Sequence, residues 1–292
     1  MSTAPTATPG TRYRTVRTTG SGDTGDTADT ADTADTGDTG DLPALRLPGP
    51  GAGALVAVEL RKAVDTVTGR WLLMVTGLVV VGALALVLGF VDREQWSLAT
   101  FAVSASLPLS LLLPVLGVLL VSGEFSQRTT MTTFALVPSR ARFVLSKTAA
   151  ALLLATVGAL VTLLLSVAAT GVATALQPDT SWDVEWAVLG QLLVVQLVFV
   201  LVGVGFGLLA QNTPLAVVAY LLLPSLLTPV ILIVPALADV GAWIDLGTAS
   251  FPLLSDAVMD AGEWARVGTA SLLWAGLPFA LGWLRLLRRE IA

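Results

Sequence analysis

The sequence contains no cysteine and no histidine. Without cysteine, disulfides and thiolate metal sites are excluded. Without histidine, the commonest metal ligand and the usual proton shuttle at neutral pH are missing. Lysine is nearly absent as well: Lys62 and Lys147 stand against fourteen arginines. With heavy use of Ala, Leu and Val, this imbalance points to a GC-rich bacterial genome. No Gly-x-x-x-x-Gly-Lys-Ser/Thr pattern occurs, so the chain has no nucleotide-binding loop of its own. Charge of either sign is scarce, at 13% of residues against 54% hydrophobic. An ordinary soluble domain is about a quarter charged. These absences leave no cofactor, metal or nucleic-acid partner to expect.

What is present is apolar sequence in long blocks. Each runs to about twenty residues or more without Asp, Glu, Lys or Arg, the length that crosses a hydrocarbon core of roughly 30 Å. Six such spans are predicted, at about 71–90, 98–121, 148–176, 186–210, 214–234 and 267–284. The expected fold is all-α: a polytopic membrane domain over 54–292, preceded by a tail over 1–53. In that tail Asp23, Asp26, Asp29, Asp32, Asp35, Asp38 and Asp41 recur at every third position among Thr, Gly and Ala. Such a run cannot bury enough apolar surface to offset its ordering entropy, so it reads as disordered. Regular aspartates also raise the idea of a calcium repeat, but no apolar residue is there to build a β-roll. The arginines at 12, 14 and 17 are not followed by an apolar stretch, as a signal peptide would need.

Between tail and first span, Val56, Leu60, Val64, Val67 and Trp71 recur at helical steps. Glu59, Arg61, Lys62 and Asp65 fall largely elsewhere, with Arg61/Asp65 and Glu59/Lys62 at pairing distance along a helix. The reading is an amphipathic helix, Leu55–Thr68, lying along the membrane interface; the bland alternative is a cytosolic extension of the first span.

Charge sets the expected orientation, since basic loops resist translocation. With the N-terminus inside, the cytoplasmic segments hold every Lys and Arg except Arg93 and Arg266, fourteen of sixteen. Both termini are then cytoplasmic, in a bacterial cell membrane. The outer loops carry ten of the acids, including Asp179, Asp183, Glu185, Asp239 and Asp245. A five-span arrangement would expose either the 122–147 loop or the C-terminal arginines, which the charges oppose. Trp96, Trp182, Trp186, Trp243, Trp264 and Trp283 fall near the expected interfaces, as an aromatic belt would.

None of the six predicted spans contains an ionisable residue, which argues against an ion-coupled secondary carrier. The informative segment is the inside loop from Ser122 to Lys147. Met131, Phe134, Ala135 and Leu136 stand there among threonines, enough for a short helix ending before Pro138. Gly123-Glu124-Phe125, followed by Thr129, Leu136, Pro138, Arg140 and Lys147, resembles the loop of ATP-binding-cassette permeases of the type-two exporter class. Val58-Glu59-Leu60-Arg61-Lys62, leading to Arg70-Trp71, is similar to that family's connecting helix. The Pro235–Glu263 stretch is similar to its short re-entrant outer helices. Arg128 departs from the pattern, standing where the family usually carries glycine.

The resemblance implies that a coupling helix around Phe134 docks on a separate ATPase subunit. It also implies that two permease subunits pair, as homo- or heterodimer, with spans two and five near the path of the cargo. Glu124 would pair with Arg128 or Arg140 at the base of the lever, while Phe125, Thr129, Leu136 and Pro138 complete the coupling segment. Charge-free spans would suit an amphipathic or lipophilic cargo, and hydrolysis would belong to the partner chain, so the chain itself is not expected to be an enzyme. Inside the spans, Gln191 and Gln196 read as cross-helix hydrogen-bonding groups or as lining of a cargo path. Gly203 and Gly207 permit close helix approach, and Pro108, Pro114, Pro224 and Pro229 are expected to kink their helices. The rival readings are a membrane anchor or sensor that transports nothing, and, behind it, an ion-coupled carrier.

Overall fold

The computed structural model describes residues 51–126, 139–234 and 237–288, all within one compact unit, Pro48–Ala292. The described elements are helical. In chain order they are α1 (Ala52–Asp65), α2 (Val67–Phe90), α3 (Leu98–Ser126), α4 (Arg140–Leu176), α5 (Trp186–Ala210), α6 (Thr213–Ile233), α7 (Ala238–Ile244), α8 (Leu246–Ser250), α9 (Ala261–Ser271) and α10 (Leu277–Arg288). A π-helical turn, Leu272–Gly276, joins α9 to α10 without a break. Six helical runs are long and apolar enough to cross a membrane: α2, α3, α4, α5, α6 and the continuous Ala261–Arg288 run.

Side-chain caps fix where several of these helices begin. Thr66 accepts from the amide of Gly69 at 3.2 Å, and Asn212 accepts from that of Leu215 at 3.1 Å. Asp260 and Glu263 form a reciprocal capping box, so the last run starts at Ala261 rather than near 267. The long fourth helix likewise begins at Arg140, not near 148, and α3 continues to Ser126. At 37 residues and about 1.5 Å per residue, α4 is longer than a roughly 30 Å core requires, so it either tilts or extends past such a core. The link from α5 to α6 is short because Gln211 adopts a left-handed conformation, φ 52°.

The expected single helix over Leu55–Thr68 is two. The chain breaks at Thr66, where ψ is 141°, and resumes as α2. Gly69 fits this corner because any Cβ there would lie 1.9 Å from the carbonyl oxygen of Ala63. Its apolar stripe is also not the packed face. Val64, Val67 and Trp71 are exposed, whereas Glu59 and Ala63 are buried against the bundle. Trp96 departs from the expected belt too. It is buried, and its indole donates to the carbonyl of Val91 at 3.2 Å.

Helices α3 and α5 form the centre of the bundle. Small residues let them meet backbone to backbone: a Cβ on Gly203 would lie 2.3 Å from the Pro114 carbonyl, and one on Gly207 would lie 3.1 Å from that of Val118. Gly205 and Gly282 serve the contact between α5 and the last run in the same way. Pro108 and Pro114 lie inside α3, and Pro224 and Pro229 inside α6. Lacking an N–H, Pro114 releases the Ser110 carbonyl from the helix ladder. The Tyr220 hydroxyl of α6 donates to that carbonyl at 3.3 Å.

Candidate functional site

The bundle end that carries α1 also holds the last turn of α3, the start of α4 and the tight α5–α6 link. There α1, α3 and α4 bring four opposite charges together. Lys147 lies two turns into α4 and its side chain is 1% exposed. Its ammonium has three hydrogens, and three acceptors meet them. They are Glu59 Oε2 at 2.7 Å, Glu124 Oε1 at 2.9 Å and the Leu120 carbonyl at 2.9 Å. The ring of Phe143 faces the same ammonium at 4.9 Å. Lys62 closes the set, donating to Glu59 Oε1 at 2.9 Å and Glu124 Oε1 at 2.8 Å.

Two cations and two carboxylates sum to zero, which is the condition under which such groups tolerate burial. The members differ in exposure. Lys62 is 45% exposed at its side chain, whereas Glu59 and Glu124 are 8% and 12% exposed. Partial burial works to lower the Lys62 pKa, but hydrogen bonds and charge from Glu124 and Glu59 outweigh it and hold the ammonium above the ordinary lysine value. A cavity of about 450 Å³ opens beside the cluster, walled by Leu116, Leu119, Leu120, Thr66 and Gly69.

The neighbouring helix ends are tied to the same structure. Thr213 of α6 hydrogen-bonds to Ser122 and Ser126 of α3, at 2.8 and 3.0 Å between hydroxyls. Arg140 donates to the carbonyls of Leu286 and Leu287 at the end of α10. Arg285 donates to that of Leu209 at the end of α5, at 2.8 Å. Cations thus satisfy carbonyls that the last helical turns leave open. Phe125 packs edge-on against Phe143, with ring centroids 6.1 Å apart.

The residues singled out from sequence divide three ways. Glu59, Lys62 and Glu124 meet in the cluster, with Phe125 packed beside it. The partners of Glu124 include Lys62 and Lys147; of the two arginines expected to pair with it, Arg128 lies outside the described residues, and Arg140 donates to the end of α10. Arg61 is exposed, and among the described residues no ion pair joins it to Asp65. Arg128, Thr129, Phe134, Leu136 and Pro138 lie outside the described residues. In α5, Gln191 exchanges hydrogen bonds with the Ala257 carbonyl (2.9 Å) and the Met259 amide (2.9 Å). Gln196 donates to the Ser106 carbonyl of α3 at 3.2 Å.

Two ionisable residues escaped the sequence reading. Lys147 was placed at the entry to a span because it follows Arg140 and Arg142. The clue was that both lysines of the chain belong to the cluster, where a compact, fully bonded ammonium fits between carboxylates. Asp245, read as an outer-loop acid, is 0% exposed. It caps α8 and accepts from the hydroxyls of Thr228 (3.0 Å) and Thr248 (2.6 Å) and the Thr248 amide (3.0 Å). Lys147 and Glu124 lie just beyond the predicted spans 148–176 and 98–121, on the helical extensions that carry α4 back to Arg140 and α3 on to Ser126.

No protein-family model matches the chain, and no curated protein matches it.

Proposed function

We propose that the chain is the membrane-spanning permease subunit of an ATP-driven exporter of the ATP-binding-cassette type-two class. On this reading the α1 end faces the cytoplasm of a bacterial cell, with both termini on that side. The chain pairs with a second permease subunit, and a separate ATPase supplies the energy. The cargo is amphipathic or lipophilic.

The observation that carries the reading is the neutral four-charge cluster. Its members sit on α1, on the last turn of α3 and near the start of α4. The last two flank the 127–138 segment on either side. Force applied to that segment would therefore be delivered to both flanking helices and to α1 as one unit. A membrane half without a nucleotide-binding loop needs such a lever.

The test is co-purification. A tagged full-length chain taken from its native membranes should bring down an ATPase carrying a nucleotide-binding loop. Phe134→Asp and Leu136→Asp should each abolish that recovery while the permease still elutes as a folded species. The reading fails if no such ATPase is recovered with the wild type, or if both variants retain it in full.

A further inference from the structure

Away from the charge cluster, a second cavity of about 210 Å³ lies between α3, α5, α6 and α8. Its wall includes Phe199, Tyr220, Leu221, Ser225, Thr228 and Gly247. The proposal for this cavity goes beyond the exporter reading and stands without it.

Three hydroxyls line this cavity, and each has already given away its hydrogen. Tyr220 donates to the Ser110 carbonyl at 3.3 Å, and Ser225 to that of Leu221 at 2.7 Å. Thr228 donates to the carboxylate of Asp245 at 3.0 Å. A hydroxyl has a single hydrogen, so what these oxygens keep for the cavity is lone pairs. The remaining side chains are apolar or aromatic. Phe199 and Tyr220 bring aromatic rings to the wall, and the quadrupole of an aromatic face attracts cations.

Behind this wall stands Asp245. It is fully buried, and among the described residues no lysine or arginine forms an ion pair with it. Its hydroxyl and amide donors spread the charge without cancelling it. The carboxylate is also close: an atom placed at the Cβ position of Gly247, on the wall itself, would be 3.6 Å from Asp245 Oδ2. Lone pairs, ring faces and an uncompensated carboxylate in a low-dielectric setting all select the same sign of guest.

We propose that this cavity binds a lipophilic ammonium ion, held by the Phe199 and Tyr220 rings and by the field of the buried Asp245 carboxylate. A neutral guest of equal shape gains only the apolar contact, and an anion is opposed on every side.

The test uses the purified full-length chain in detergent and two probes of the same shape. One is radiolabelled benzyltrimethylammonium. The other is its uncharged carbon isostere, neopentylbenzene, used as competitor. The ammonium should bind saturably, and the isostere should compete at least about tenfold more weakly, the order expected of a desolvated cation–π contact reinforced by a carboxylate. Asp245→Asn should weaken the ammonium about tenfold and the isostere little. Leu221→Trp, which fills the cavity from its outer edge, should block both. The proposal is overturned if wild type shows no saturable binding or if the isostere competes equally. It is also overturned if a folded Asp245→Asn keeps full affinity for the ammonium. Should Asp245→Asn not fold, Leu221→Trp decides, and undiminished ammonium binding there overturns the proposal. A missing ATPase partner would not affect any of these outcomes.

Discussion

Replacing Lys147 with methionine is expected to lower the stability of the purified protein by about 3–5 kcal/mol, the cost of leaving buried carboxylates without their cation. The variant removes a side chain that is 1% exposed and has three acceptors around its ammonium. Glu59 and Glu124 then lose their buried cation, and Lys62, the other lysine of the cluster, is 45% exposed. By contrast, Lys62→Met should cost about 1 kcal/mol or less, because water screens a half-exposed pair. The comparison is a melting curve in detergent for both variants. Adding Glu59→Gln to Lys147→Met should recover part of the loss, since it removes one of the stranded charges. Equal melting temperatures for Lys147→Met and Lys62→Met would show that Lys147 does not organise the cluster.

The second large effect is expected at Gly203. A Cβ there would lie 2.3 Å from the carbonyl oxygen of Pro114, which is backbone and cannot swing aside. Gly203→Ala must therefore push α3 away from α5 at the centre of the bundle. The expected loss is about 2–3 kcal/mol, the upper part of the roughly 1–3 kcal/mol range for overpacking a close-packed interior. Gly190, in the same helix, has open space at its Cβ position. Gly190→Ala should be neutral or stabilising by about 0.5–1 kcal/mol, the ordinary propensity gain of alanine over glycine in a helix. Thermal melts of the two variants side by side give the answer. If Gly203→Ala melts no lower than Gly190→Ala, the α3–α5 contact is not the close approach described here.

The six spans were legible because length and apolar composition alone define them, and Trp186–Ala210 falls where the sequence placed it. Their ends were less so. Arg140, Arg142 and Lys147 look like loop charges until the Phe143, Val144, Ala150 and Ala151 face of α4 is seen to be buried. The inward face of α1 was not legible for a related reason. An apolar stripe read as interfacial leaves Val64 and Val67 exposed, but it does not show that Glu59 turns inward to meet Lys147. No periodicity rule anticipates a buried carboxylate whose partner lies far along the chain. Asp245 was hidden likewise, because only the packing of α8 against α6 shows that this acid, read from sequence as a loop residue, is interior.

On the exporter reading proposed above, α1, α3 and α4 move as one piece when an ATPase acts on the segment between α3 and α4. The chain has no cysteine, so spin labels attach only where a cysteine is introduced. Ala57→Cys on α1 and Leu145→Cys on α4 place labels at exposed positions of two helices joined by the cluster, and Val218→Cys places one on α6. Inter-label distances would be measured by pulsed electron resonance on the permease reconstituted with its ATPase, without nucleotide and with ATP trapped. The account predicts a narrow α1–α4 distance that stays unchanged while the α1–α6 distance shifts. An α1–α4 distance that changes on trapping ATP, with α1–α6 constant, would contradict it.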